Sequence, residues 1–193
     1  MKVATVWVVT VMLSLILLVR PVSAQCSATG AGVIANTSAV GNFSGYAMTG
    51  KDGTAGGSWQ HLDRGTGRLF DGQIVYIFCR HVDDPGPGAP PSPNGDFPLN
   101  QAYVGGPARV FFPESGWTTG FWLDVVIKDH GEATSTPDSY HITVRTFDGG
   151  SVVGPVLFET SGELVGGNIQ LYPPNQGHPA TPSLLPSWVV LEP

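Results

Sequence analysis

The chain has 193 residues with 9 basic and 15 acidic side chains, a formal net charge of −6, two cysteines, 26 glycines and 17 prolines. That many glycines and prolines, with no stretch holding a sustained helical apolar period, exclude a helical protein and leave all-β as the fitting class. An acidic chain without a basic cluster also argues against nucleic acid and anionic membrane surfaces as partners.

Residues 1–24 read as a signal peptide. Lys2 supplies the basic start, residues 4–19 an apolar run, and the small residues up to Ala24 a cleavage site. The run is short for a membrane span, which needs about 20 apolar residues. The mature chain is expected to begin at Gln25 and to be exported, either secreted or held in the periplasm or at the cell surface. No membrane segment is expected after cleavage. Residues 25–193 fit one domain by length, and loss of Lys2 and Arg20 moves the formal charge to −8. Cys26 and Cys79 both fall in this part. An even count in an oxidising compartment predicts a disulfide between them, pinning the N-terminus to the strand that carries Cys79.

Residues 31–35, 42–48 and 57–63 read as short strands, with a turn at 64–67. Residues 73–80 are apolar on both faces and predict a central strand buried on both sides. The pairs His61/Asp63 and His81/Asp83 each put two potential metal ligands on one strand face. A simple hairpin between residues 59–63 and 73–80 would set His61 near Val75 and far from His81, so no transition-metal site is expected. Residues 82–100 hold six prolines, which cannot pair inside a sheet, and predict a long surface loop. Residues 108–112 resume the sheet.

Residues 118–145 predict a β-hairpin. Phe121, Leu123, Val125 and Ile127 share one face and Trp122, Asp124, Val126 and Lys128 the other, a period of two. Tyr140, Ile142 and Val144 alternate with His141, Thr143 and Arg145 in the second arm. The continuous apolar set is the core side. Trp122 is therefore expected to be partly exposed beside Asp124 and Lys128, as a stacking platform for a sugar ring or a partner's side chain. Asp129, Glu132 and Asp138 crowd the connection between the arms. They offer the hard oxygens that Ca²⁺ takes, the one cofactor the sequence suggests, although acids in turns commonly cap their own backbone.

Residues 155–160 and 162–172 close the domain, and residues 173–193 form a proline-rich tail. About ten short strands at regular spacing predict an antiparallel β-sandwich over residues 25–172. No nucleophile elbow, zinc-protease helix or cysteine–histidine pairing is present. The leading functional expectation is a binding or structural module for a glycan or cell-envelope component. A small extracellular hydrolase using a carboxylate pair is the alternative.

Three groups of residues carry a resemblance. They are the strand from Gly57 to Asp63, the hairpin pattern Asp129-x-Gly131-Glu132 with Asp138-x-Tyr140-x-Ile142, and the Gly166-Gly-Asn-Ile-Gln170 strand. From residue 27 to residue 172 the chain resembles the post-COAP domain of secreted bacterial proteins. The resemblance implies an exported β-domain, often appended to other modules, without an established activity; it transfers no catalytic residue. His61 departs from it, standing where such domains tend to carry an aromatic residue. The proline-rich loop and the tail are additions.

Overall fold

The structure, a computed structural model, describes residues 26–35, 40–50, 53–82, 100–131, 136–150 and 153–172. The segment expected to be a signal peptide, nearly all of the proline-rich loop and the tail lie outside them. The described residues form nine antiparallel strands: β1 (Ser27–Ala35), β2 (Val40–Thr49), β3 (Ala55–Asp63), β4 (Arg68–Gln73), β5 (Tyr76–Arg80), β6 (Gln101–Phe112), β7 (Gly116–Lys128), β8 (Ser139–Phe147) and β9 (Val153–Tyr172).

The all-β antiparallel class holds, but the two-sheet sandwich does not. The strands run in the order β4-β3-β2-β1-β9-β8-β7-β6, and a further pairing of β4 with β6 closes the ring. This is an eight-stranded barrel, with β5 paired to β6 beside it. Two long strands make the closure possible. β6 pairs with β5 through residues 101–105 and with β4 through residues 108–111, while β7 runs along its other edge. β9 is read from sequence as two strands, yet it continues unbroken for 20 residues. Its first half pairs with β8 and its second half with β1. Inward–outward alternation is the same in a sandwich and a barrel, so only these long-range pairings separate the two.

The expected central strand at 73–80 is also corrected. The chain kinks at Ile74 and Val75, Val75 is exposed, and β5 has β6 as its strand partner. The β3–β4 register sets His61 opposite Phe70, not near Val75.

The barrel interior is filled by rings. Phe43 stacks on Tyr140 with centroids 4.1 Å apart, and His61 lies parallel to the far side of this group, 5.6 Å from the Tyr140 ring. Trp59 joins the parallel set, and the Phe70–Phe158 pair packs against His61. Gly45 leaves the space that the Trp59 indole occupies; a Cβ there would strike the ring. Phe121, Leu123, Val125 and Ile127 all face this core, as their alternation requires. Each fully buried apolar side chain contributes roughly 1.5–3 kcal/mol.

The predicted disulfide is present. Cys26 bonds Cys79 with a Cα–Cα distance of 6.2 Å, tying the start of β1 to the end of β5.

Candidate functional site: a groove on the outer wall

The candidate site lies where β3, β4, β6 and β7 cross the outside of the barrel. It begins with a break in alternation. The β6–β7 register shifts between Ala108 and Arg109, so that Ala108 faces Phe121 while Arg109 faces Thr119. The extra residue is Gly120, with φ of +90°. A bulge of this kind bends the strand and re-aims the side chains next to it. Without it, Trp117 and Thr119 would share the inward face of Phe121. With it, both turn outward, and Trp117 is 45% exposed.

A ladder of side chains then runs across the wall. Gln60 sits opposite Asp71, and Asp71 opposite Arg109. The Gln60 amide donates to Asp71 Oδ1 at 3.2 Å, and Arg109 Nε donates to Asp71 Oδ2 at 2.8 Å. The Arg109 guanidinium lies 4.3 Å from the centre of the Trp117 ring, which meets Phe111 edge-on. An exposed ion pair contributes little to stability. Its geometric effect is larger: the carboxylate and the indole together hold the guanidinium in one orientation.

Beside the ladder lies a groove of about 480 Å³. Its lining includes the small or side-chain-poor Gly72, Pro107 and Gly120, the polar Asp71 and Arg109, and the Phe147 ring. Ligand sites typically span about 300–1,000 Å³, with a few polar groups set in apolar walls. The arrangement can donate and accept hydrogen bonds along one side and present a flat apolar ring on the other.

The residues singled out from sequence go elsewhere. Trp122 is only 5% exposed, so the open platform expected there is corrected. The cover comes from Tyr76, which stacks on Trp122, and from Phe147, which meets it edge-on. Tyr76 reaches this position across Gly105, where a Cβ would collide with its ring. Asp124 lies at the centre: its Oδ1 accepts from the Tyr76 hydroxyl at 2.6 Å and from the Trp122 indole at 2.9 Å. Burial pushes the Asp124 carboxyl above its ordinary range, against the lowering effect of those two hydrogen bonds and of nearby Arg145. Burial and the Asp124 charge push the Tyr76 phenol up as well. Lys128 sits at the far end of β7, opposite Gln101 and Ser139. Trp122 and Asp124 are thus a packing unit, and Lys128 is not part of it.

Asp129 and Asp138 do come close to the same backbone, but all four of their carboxylate oxygens are engaged by amides. Asp129 accepts from Gly131 N and Leu171 N at 2.8 and 2.9 Å. Asp138 accepts from His130 N and Ile169 N at 3.0 and 2.8 Å. Glu132 lies outside the described residues. Among the described residues, no three His, Cys, Asp or Glu side chains gather as a metal site would require.

His61 is in the core, and burial drops its pKa from the ordinary 6.5 to about 4, against a smaller opposing pull from Asp63. Asp63 caps the β3–β4 turn through Gly65 N and the Thr66 hydroxyl. His81 is half-buried after β5, and Asp83 lies outside the described residues. No family model, curated protein or solved structure matches this chain.

The sequence does not single out Trp117, Asp71, Arg109 or Phe147 as members of one site. Gly120 inside an alternating strand was the available signal, because a strand glycine often marks a bulge. Asp71 and Arg109 are 38 residues apart, and nothing in the sequence joins them.

Proposed function

We propose that this chain is an exported, disulfide-locked β-barrel module that binds a glycan or cell-envelope component in the groove beside Arg109. The observation that carries this is the oriented Gln60–Asp71–Arg109–Trp117 ladder, which borders a groove lined by both polar groups and an aromatic ring. A sugar or similar polyol uses this combination, since its ring faces stack on aromatics and its hydroxyls need directional partners. Export is supported by the signal-like N-terminus and by the Cys26–Cys79 bond, which suits an oxidising compartment. The resemblance to the post-COAP domain supports a bacterial secreted context.

The hydrolase alternative finds less support. Asp71 is the acid that lines the groove, and it is held by Arg109. Asp124 is occupied by Tyr76 and Trp122, and Asp129 and Asp138 by backbone amides. A paired-carboxylate mechanism needs two acids facing one substrate, at about 5–10 Å.

The test is a pull-down on immobilised glycans and cell-wall material with the wild type, Arg109→Ala and Trp117→Ala. Loss of retention in both variants at unchanged melting temperature is expected. Equal retention by all three proteins would remove the groove from consideration. Release of soluble sugar fragments by the wild type would restore the hydrolase.

A further inference from the structure

Charge is distributed unevenly around the barrel. The outer wall of β4, β6, β7, β8 and the first half of β9 carries Asp71, Arg109, Lys128, Arg145 and Glu159 among others. The outward face of the opposite wall has none; Asp63, at the end of β3, is buried and caps the β3–β4 turn. From Ser27 to Leu62 the charged residues are Lys51 and Asp52, both in the β2–β3 connection and outside the described residues. From Val165 to Tyr172, β9 has no Asp, Glu, Lys or Arg at all.

These segments are neighbours. The order β3-β2-β1-β9 makes them one continuous face, four strands wide, or about 14 Å between its outermost strand axes. The register lines up their outward side chains in rows. One row holds Gln170, Thr29, Tyr46 and Ser58; the next holds Asn168, Ala31, Ser44 and Gln60. Tyr46, Met48 and Tyr172 are each about half exposed, at 48%, 49% and 46%.

Charged side chains make up 12% of the chain, so a four-strand face without any is a local depletion. Their absence from the outward face of four adjacent strands selects against any partner recognised through charge. A polyanion would need lysines and arginines here, and there are none. What the face offers is amides, hydroxyls and phenol rings, the Tyr172 hydroxyl donating to Gln170 Oε1 at 2.6 Å, which match a partner that is uncharged and rich in hydroxyls. A second copy of the chain fits less well. Two convex walls meet along a narrow line, whereas stable interfaces bury about 800 Å² per partner, and a net charge of −6 on each copy is repulsive.

From this we infer that the β3-β2-β1-β9 wall docks an uncharged polysaccharide chain, with Tyr46 and Tyr172 as its stacking rings. This surface meets the groove beside Arg109 along β3, where Ser58 and Gln60 border both, but its stacking rings lie on β2 and β9, away from Arg109.

The test is depletion of the full-length mature protein by insoluble cellulose, chitin and β-1,3-glucan, with polygalacturonate as the charged control, at about 50 mM and about 1 M NaCl. Retention on at least one uncharged polymer is expected, changing less than roughly twofold between the two salt concentrations. The double variant Tyr46→Ala/Tyr172→Ala weakens it by roughly tenfold or more. Thr29→Lys, a single change at an exposed position, weakens it too and keeps the test open if the double variant folds poorly. Glu159→Gln, on the charged wall and outside the groove, leaves it unchanged. No retention on any uncharged polymer overturns the inference. So does retention that Arg109→Ala abolishes and the tyrosine variant keeps, which would assign all binding to the groove. A dimer in sedimentation that Thr29→Lys dissociates overturns it as well, by making a second copy the occupant.

Discussion

The Asp138 carboxylate holds the Ile169 amide at 2.8 Å, across 31 residues of chain. Ile169 lies in the half of β9 that has left β8 and pairs with β1 on its other side. Its amide therefore has no strand to meet, and the Asp138 side chain takes the place of one. Asp129 does the same for Leu171, two residues further along the same edge. The two acids let a single strand change partners without leaving these amides unpaired.

Asp138→Ala removes the acceptor for Ile169 and His130 together, and is expected to lower unfolding stability by about 1–3 kcal/mol. Asp138→Asn retains one oxygen and should fall between the alanine variant and the wild type in urea denaturation. Because the carboxylate oxygens are already engaged, millimolar Ca²⁺ against chelator should leave the melting temperature unchanged. A clear upward shift with Ca²⁺ would mean that the ion displaces these amides.

Trp122→Ala tests the covered face. Strict alternation points Trp122 away from the core, and on that ground alone little effect on stability is expected. The structure places it under Tyr76 and Phe147, so a loss of about 3–5 kcal/mol is expected instead. Tyr76→Phe is the milder companion. It keeps the ring but takes one donor from the buried Asp124, and should cost less than the tryptophan variant in the same denaturation series.

The contrast marks how far the sequence was legible. The alternation of residues 121–127 identified the core side of β7, and cysteine parity identified Cys26 and Cys79 as partners, because both are local or compositional signals. Closure is neither. It depends on β9 meeting β1 and on β4 meeting β6, contacts between segments far apart in the chain. The same holds for Trp122, whose cover arrives from Tyr76 over Gly105, and for the groove, which needs Asp71 and Arg109 in one register. A bulge at Gly120 moved Trp117 to the outside, where period-two reasoning cannot put it.

The disulfide closes a loop with a sequence separation of 53, worth about 4 kcal/mol in the chain-entropy account. Cys26→Ser/Cys79→Ser should lose about that much. The loss should begin locally, since Cys79 lies near the end of β5, the strand outside the closed ring. Amide exchange in residues 76–80 is expected to rise before exchange in β7 and β8. Uniform acceleration across all strands would instead place β5 within the cooperative core.

His61 sets the acid limit. Its ring is 1% exposed and parallel to Tyr140, and neither of its nitrogens has a hydrogen-bond partner among the described residues. Burial therefore favours the neutral ring and lowers its pKa from 6.5 to about 4. Between those values the unfolded chain binds a proton that the folded chain refuses. Stability is accordingly full above pH 6.5 and is lost as pH falls through about 4, by about 3 kcal/mol in all. Asp124 acts in the opposite sense. Its raised pKa means that the folded state takes up that proton more readily, so its contribution falls as pH rises through its own window. His61→Phe separates the two, because it removes one titration and leaves the other. The variant also places an apolar ring in an aromatic slot and ends the cost of the unpartnered imidazole. It should be more stable than the wild type at pH 4, and its stability should change much less between pH 7 and pH 4. If urea denaturation gives both proteins the same slope over that interval, the acid sensitivity belongs to other groups and His61 is not its source.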